Sequence, residues 1–187
     1  MKNLKYILSL MVIVATTLSS CKKDDPEIPN EEEVITTLKY TLTPNGGGLI
    51  KILKFVDMDG DGGEAPVYTL DTLEANTVYN GELELLNEQE SPADTTTNEI
   101  REENQQHQFF FATSGDLNLS VGYNDVDPDG NPVGLSNILT TGAASKGQFT
   151  VTLRHQPDKF GSGVSDGDIT NAGGETDIEV VFNVVIK

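Results

Sequence analysis

Apolar and polar residues alternate in several short segments of the chain, which is the pattern of half-buried β-strands. The alternation runs through residues 37–42, 82–85, 117–123 and 149–154. Near the end of the chain, apolar side chains occupy every second position: Ile178, Val180, Phe182, Val184 and Ile186. Turn-forming residues separate these segments. The pattern predicts an all-β protein, an antiparallel β-sandwich of about nine strands.

The predicted strands fall into two similar halves, each with four strands in the same order. A D-x-D-x-D-G loop follows the second strand of each half, at residues 57–62 and 125–130, and a proline comes later in each half, Pro66 and Pro132. This order predicts an internal duplication, with the ninth strand added at the end. Shared turn chemistry is the alternative explanation for the likeness of the halves.

Helical patterns are scarce, so at most one or two short helices are expected. Thr96 and Glu99 have the spacing of a capping box, which predicts a short surface helix at residues 98–105. A further helical turn is expected within residues 165–174, where Gly173 and Gly174 would end it.

The start of the chain has the pattern of a bacterial export signal, with two lysines before an apolar stretch at residues 7–14. Residues 18–21 read Leu-Ser-Ser-Cys, which resembles the lipobox of bacterial lipoproteins. We therefore expect residues 1–20 to be a signal peptide and Cys21 to be lipidated, and such an acylated cysteine anchors a protein to a membrane. A cleaved secretory signal with an incidental cysteine is the alternative.

Residues 22–25 read Lys-Lys-Asp-Asp, which is similar to the export signal of surface lipoproteins in Bacteroidota. This similarity predicts an outer-membrane protein exposed at the cell surface; the alternative is a plain polar tether that leaves the protein facing the periplasm. Residues 21–33 are rich in acid and proline, which predicts a disordered tether. Residues 34–187 then form the sandwich domain.

Acidic residues dominate the charge of the chain, with 30 Asp and Glu against 12 Lys and Arg. Removal of Lys2 and Lys5 with the signal peptide leaves 10 basic residues, so the mature net charge is 10 minus 30, or −20. Such a charge repels nucleic acid and attracts cations or basic partners. We expect no nucleic-acid partner.

The two acidic loops are candidate calcium sites, because alternating carboxylates before a glycine gather oxygen ligands around a hard cation. Their twelfth positions are Tyr68 and Ser136 rather than glutamate, so the loops are not EF-hands. The alternative is that Asp and Gly are only the residues that tight turns prefer. The candidate ligands are Asp57, Asp59, Asp61, Asp125, Asp127 and Asp129.

The two histidines of the chain are candidate transition-metal ligands. If the strands run up and down, His107 and His155 lie at the pole that carries both acidic loops, and both share parity with inward-facing neighbours. Glu103 and Asp158 complete the candidate set, and a helix continuing from Glu99 to His107 would place Glu103 and His107 on one face. Two unconnected histidines at strand ends are the alternative.

Two common catalytic features are missing from the sequence, which has no phosphate-cradling loop and no cysteine apart from Cys21. We therefore expect a protein without enzymatic activity and without an organic cofactor; a hydrolase is the third alternative. The preferred prediction is an outer-membrane lipoprotein that captures Ca²⁺ or Zn²⁺ at its acidic, histidine-containing pole, as an accessory to an outer-membrane importer. The rival prediction is an adhesion or partner-binding module in which calcium only stiffens the loops.

Along its whole length the sequence resembles a family of small lipoproteins from flavobacteria and their relatives, often labelled as a type 1 periplasmic binding fold superfamily. The resemblance implies a lipoprotein and supplies no catalytic residues. It rests on residues 18–21, 57–66, 87–94, 107–111, 125–134, 154–159 and 165–180.

Overall fold

The computed structural model describes residues 34–60 and 63–187. The predicted signal peptide, Cys21, the tether and Asp61 lie outside the described residues. Within these residues, nine strands account for most of the regular structure: β1 (Thr37–Pro44), β2 (Lys51–Val56), β3 (Val67–Leu70), β4 (Val78–Leu86), β5 (His107–Gly115), β6 (Leu119–Tyr123), β7 (Ser136–Thr141), β8 (Ser145–His155) and β9 (Glu175–Ile186).

The nine strands form two antiparallel sheets, which confirms the prediction of an all-β sandwich. The larger sheet has the order β3-β2-β1-β4-β7-β6, and the smaller has the order β5-β8-β9. Apolar side chains at alternate positions of both sheets are buried in one core, as the sequence pattern predicted. In β9, for example, Val180, Phe182, Val184 and Ile186 are all buried.

Aromatic rings join the two sheets at the centre of the core. The ring of Tyr40 lies 6.4 Å from that of Phe111 and 6.0 Å from that of Phe149 between centroids. The Tyr40 hydroxyl donates a hydrogen bond to Oδ1 of Asn137. A Cβ atom at Gly81 would lie 2.2 Å from that oxygen, so only glycine leaves room for this pair.

The two halves of the chain share strand pairings but not a sheet layout. In each half the first strand pairs with the fourth, β1 with β4 and β5 with β8, and the second pairs with the third. The first four strands lie in one sheet, whereas β6 and β7 join the larger sheet through β4 and leave β5 and β8 in the smaller one. The chain turns away after β5 at Gly115, which has a φ of 70°.

The helix α1 (Thr96–Glu102) differs from the predicted surface helix. Its N-cap is Thr95 and makes no side-chain capping bond, so the predicted capping box does not form. Ile100 is buried, and the Thr97 hydroxyl bonds both the N–H and the carbonyl of Leu85, which fixes the helix on β4. α1 ends at Glu102, so the predicted helical alignment of residues 99, 103 and 107 is wrong.

Other boundaries shift by a few residues. β6 begins at Leu119, although the predicted alternation starts at residue 117, and β8 extends from Ser145 to His155 on both sides of the predicted 149–154. Two 3₁₀ turns, Val164–Asp166 and Ile169–Asn171, lie in the connection between β8 and β9, close to the helical turn expected there. Among the described residues, no helix has the length and apolar character needed to cross a membrane.

Candidate metal site

β5 and β8 bring the two histidines face to face. His107 is the register partner of His155, and the ring centroids lie 4.6 Å apart with 34° between the planes. Both side chains are buried, which confirms the inward orientation that strand parity predicted. The pair lies where β5 begins, β8 ends and β9 begins.

A bulge in β9 adds a carboxylate to this pair. Leu153 pairs with Ile178, but the next residue of β8, Arg154, pairs with Thr176, so Asp177 is an extra residue in the ladder. On a regular strand, Asp177 would point to the side opposite Ile178 and away from the core. The bulge turns its side chain inward, where it is only 3% exposed.

Asp177 faces both imidazole rings. Its Oδ2 lies 3.7 Å from Nε2 of His107, and its Oδ1 lies 3.7 Å from Nδ1 of His155. These distances exceed the roughly 2.7–3.2 Å of a hydrogen bond. They are close to the distance of about 3.4 Å between two ligand atoms around a tetrahedral zinc ion with bonds of about 2.0–2.1 Å. Each histidine nitrogen and the carboxylate oxygen that it faces are therefore spaced much as two ligands of one ion would be.

The backbone of Glu103 orients the His107 ring. Nδ1 of His107 lies 3.1 Å from the Glu103 carbonyl oxygen, so the tautomer protonated on Nδ1 donates to that oxygen and keeps a lone pair on Nε2. Metal-binding histidines commonly have such a second hydrogen bond. Burial lowers the pKa of His107, and nearby His155 and Lys159 lower it further, although the Glu103 carbonyl and carboxylate oppose the shift. The neutral ring, which is the metal-binding form, is therefore favoured.

Glu103 also places its side chain beside the two rings. One ligand atom each from Glu103, His107 and His155 lie within 4.8 Å of one another. Glu103 is exposed, whereas both histidines are buried. The rings therefore have an exposed carboxylate nearby, that of Glu103, and a buried one, that of Asp177.

Asp158, the fourth candidate from the sequence, is not brought to this cluster. Gln156 has a φ of 50° and turns the chain outward directly after β8. Asp158 is exposed, and its Oδ1 accepts a hydrogen bond of 3.1 Å from the N–H of Phe160. Its carboxylate therefore stabilises the following turn.

The second acidic loop uses two of its carboxylates to fix its own conformation. Asp125 accepts hydrogen bonds from the N–H groups of Gly134 and Ser136 at 2.7 and 2.9 Å. Asp129 accepts one of 2.7 Å from the side chain of Gln105. These contacts tie the loop to the start of β7 and to the segment before β5.

The third carboxylate of that loop, Asp127, binds an ammonium group. Nζ of Lys159 lies 3.0 Å from its Oδ2 and also donates to the carbonyl oxygens of Asn104 and Pro132. Burial alone would raise the pKa of Asp127, but the hydrogen bond from Lys159 and those from the backbone N–H groups of residues 131 and 129 outweigh it and hold the pKa below its usual range. The loop already encloses a positive charge from the chain itself.

The first acidic loop forms tight turns. Oδ1 of Asp57 accepts hydrogen bonds from the N–H groups of Gly60 and Asp59 at 2.9 and 3.4 Å, and Oδ2 of Asp59 accepts one from Glu64 at 2.8 Å. Asp61 lies outside the described residues. The bonds of Asp57 are those of an Asx-turn.

The strand registers place both loops at the same pole of the sandwich. The start of β1 pairs with the ends of β2 and β4, and the start of β7 pairs with the end of β6. Gln105, two residues before β5, reaches Asp129 in the second loop. The first loop leaves the other side of the larger sheet, with β1 and β4 between β2 and β7. The histidine cluster therefore adjoins the second loop.

No protein-family model matches the chain, no curated protein matches its sequence, and no solved structure matches its fold. The resemblance to flavobacterial lipoproteins stays a prediction from the sequence.

Proposed function

We propose that the protein binds a transition-metal ion, best exemplified by Zn²⁺, through His107, His155 and Asp177, with Glu103 as the fourth ligand. The observation that carries the proposal is the Asp177 carboxylate, which lies 3.7 Å from one nitrogen of each imidazole. Two imidazoles and two carboxylates suit zinc, which accepts nitrogen and oxygen ligands in a tetrahedral arrangement.

The electrostatics of the cluster support a cation there. The side chain of Asp177 is 3% exposed and faces both imidazole rings, so its carboxylate oxygens are the kind of ligand that a divalent ion accepts at this position. The pKa of His107 is lowered mainly by burial, which favours a neutral ring over an imidazolium partner. A divalent ion would use the neutral ring as a ligand.

The calcium-stiffened adhesion module is supported less well by the contacts of the loops. Asp125 and Asp129 accept hydrogen bonds from the chain, and Asp127 pairs with Lys159. A calcium ion wants about six to eight oxygen ligands, and in the second loop it would have to displace the lysine. We therefore propose metal capture without catalysis as the activity.

For the setting of this activity, we propose a lipoprotein held by Cys21 in the outer membrane, exposed at the cell surface, that passes its ion to an outer-membrane importer. The support is the sequence at residues 18–25, which lies outside the described residues. Metabolic labelling with a fatty acid tests the anchor: the parent should incorporate the label, and Cys21→Ala should not. Equal incorporation would disprove lipidation at this cysteine.

Titration calorimetry tests the metal site with the lipid-free mature chain, residues 22–187. We expect one Zn²⁺ per chain with micromolar or tighter affinity, because ligand atoms of Glu103, His107 and His155 lie within 4.8 Å of one another and Asp177 faces both histidines. The double variant His107→Ala, His155→Ala should lose this binding, and Asp177→Asn should weaken it by more than the roughly 10- to 100-fold that second-shell changes cost. Asp158→Ala is the matched control, since its carboxylate lies in the neighbouring turn.

Two results would overturn the proposal. One is the absence of zinc binding by the parent protein. The other is zinc binding that persists unchanged in the double histidine variant, which would place the ion elsewhere. If calcium raised the melting temperature of a parent that bound no zinc, the adhesion module would become the better account.

A further inference from the structure

We infer that Glu103 is the outer ligand of the metal site and controls how fast the ion enters and leaves. This inference rests on the proposed zinc binding and adds a kinetic role to one residue. The evidence for this inference is the difference in solvent exposure among the four proposed ligands: three of these side chains are buried, and the fourth faces solvent.

The contrast in exposure is large. The side chains of His107, His155 and Asp177 are 0%, 5% and 3% exposed, whereas Glu103 is an exposed residue. Within the described cluster, Glu103 is therefore the ligand that water can replace without any movement of the sheets. An ion approaching from solvent meets this carboxylate before it meets the buried groups.

The backbone around Glu103 is fixed, so its side chain works from a defined base. The Glu103 N–H donates to the carbonyl of Glu99 at 2.8 Å, and the Glu103 carbonyl accepts from the N–H of Gln106 at 2.8 Å. The carbonyl of the next residue, Asn104, accepts from the buried Lys159 at 2.6 Å. These bonds anchor the backbone of the segment, and the exposed side chain of Glu103 extends from it into solvent.

This geometry distinguishes two kinds of zinc site. Structural zinc sites are closed by four protein ligands, whereas sites that react keep one position open to water or substrate. In the proposed site the fourth ligand is Glu103, whose exposed side chain can leave the ion without a change in the buried ligands. Zinc release would then begin when Glu103 leaves and water takes its place. The site would be suited to the exchange of ions, as delivery to an importer requires.

Stopped-flow mixing of zinc-loaded protein with an excess of a chromogenic chelator measures the release rate. We expect Glu103→Ala and Glu103→Gln to release zinc at least about tenfold faster than the parent, in line with the loss of a supporting metal contact. Glu102→Gln is the matched control, because it removes an exposed carboxylate from the residue directly before Glu103, at the end of α1, and should leave the rate unchanged. Circular dichroism confirms that each variant is folded, and the two substitutions at Glu103 serve as independent checks.

The outcomes separate the two claims. If the parent binds zinc and the double histidine variant does not, but both Glu103 variants release zinc at the parent's rate, the role of Glu103 is overturned and the metal site stands. If Glu102→Gln accelerates release as much as Glu103→Ala, the effect is one of general surface charge, and the inference is likewise overturned. If the parent binds no zinc, the proposed function itself fails and the inference fails with it.

Discussion

The ammonium group of Lys159 lies 3.0 Å from Oδ2 of Asp127, and both side chains are buried. The same ammonium group donates to the carbonyl oxygens of Asn104 and Pro132, so three hydrogen bonds use all three of its protons. It thereby joins the connection after β8 to the segment before β5 and to the second acidic loop. Lys159 supplies from within the chain the cation that this loop was expected to take from solution.

Substitution of Lys159 by Met should therefore be severely destabilising. It leaves a buried carboxylate and two carbonyl groups without their donor, and removing one partner of a buried ion pair costs about 3–5 kcal/mol. Urea denaturation measures the loss in the free energy of unfolding. Lys146→Met is the control, since Lys146 is exposed and such surface changes stay within about 0.5 kcal/mol. Equal losses in the two variants would contradict the importance of the buried pair.

The ionisation of Asp127 should contribute to the pH dependence of the free energy of unfolding. Its folded-state pKa is held below the usual range by Lys159 and two backbone N–H groups, which outweigh burial. A carboxylate with a depressed folded pKa adds stability above its unfolded pKa, near 3.9, and loses it as the pH falls through the folded value.

Asp127→Asn should remove this contribution. The variant should be less stable than the parent at neutral pH, and the difference in unfolding free energy should shrink as the pH is lowered below about 4. Parallel urea titrations from neutral to acidic pH measure it. A difference that stays constant over this range would show that Asp127 does not titrate as proposed.

Calcium should leave the melting temperature of the protein unchanged. A ligand that binds only the folded state raises its stability. In the second loop, however, Lys159 holds the position beside Asp127, and Asp125 and Asp129 accept hydrogen bonds from the chain. Thermal unfolding with millimolar calcium and with a chelator checks this expectation. A calcium-dependent rise would show that one of the loops binds the ion.

Gly174 should be required for the position of His155. Gly174 has a φ of +69°, and a Cβ atom there would lie 2.3 Å from the His155 carbonyl oxygen. Gly173 also has a positive φ, +58°, but a Cβ atom added there would meet no atom within 4 Å, so it is a matched control.

Gly173→Ala should cost only the penalty of a left-handed residue, about 1–2 kcal/mol. Gly174→Ala should lose about 1–3 kcal/mol more, because the added methyl group pushes on backbone. It should also weaken zinc binding through the displaced ring of His155. Urea denaturation and zinc titration compare the two variants, and equal effects would argue against steric contact at Gly174.

Much of the fold could be predicted from the sequence because side-chain alternation reports directly on which face of a strand is buried. The inward positions of β9 and the orientation of both histidines follow from this period of two. The alternation does not predict which of the two sheets each strand joins. That depends on where the chain crosses from one sheet to the other, as it does after Gly115. The short helix α1 was predicted, but its bounds and its buried face were not, because Ile100 and Thr97 pack on β4, a tertiary contact that the polar composition of the segment hides.

Only part of the candidate site could be predicted from the alternation of side chains. His107 and His155 could be paired by parity, but Asp177 has the outward parity of a regular strand and faces inward only because of a one-residue bulge. Nothing in the local sequence marks that bulge, because it arises from the register of β8 against β9. The role of Lys159 was likewise hidden, since its partner Asp127 lies 32 residues away.

Anomalous diffraction at the zinc edge, from crystals of the protein grown with Zn²⁺, tests the central claim most directly. The account predicts one strong peak about 2.0–2.2 Å from Nε2 of His107, Nδ1 of His155 and a carboxylate oxygen of Asp177. A peak confined to the acidic loops, or no peak in crystals with zinc in excess, would contradict it.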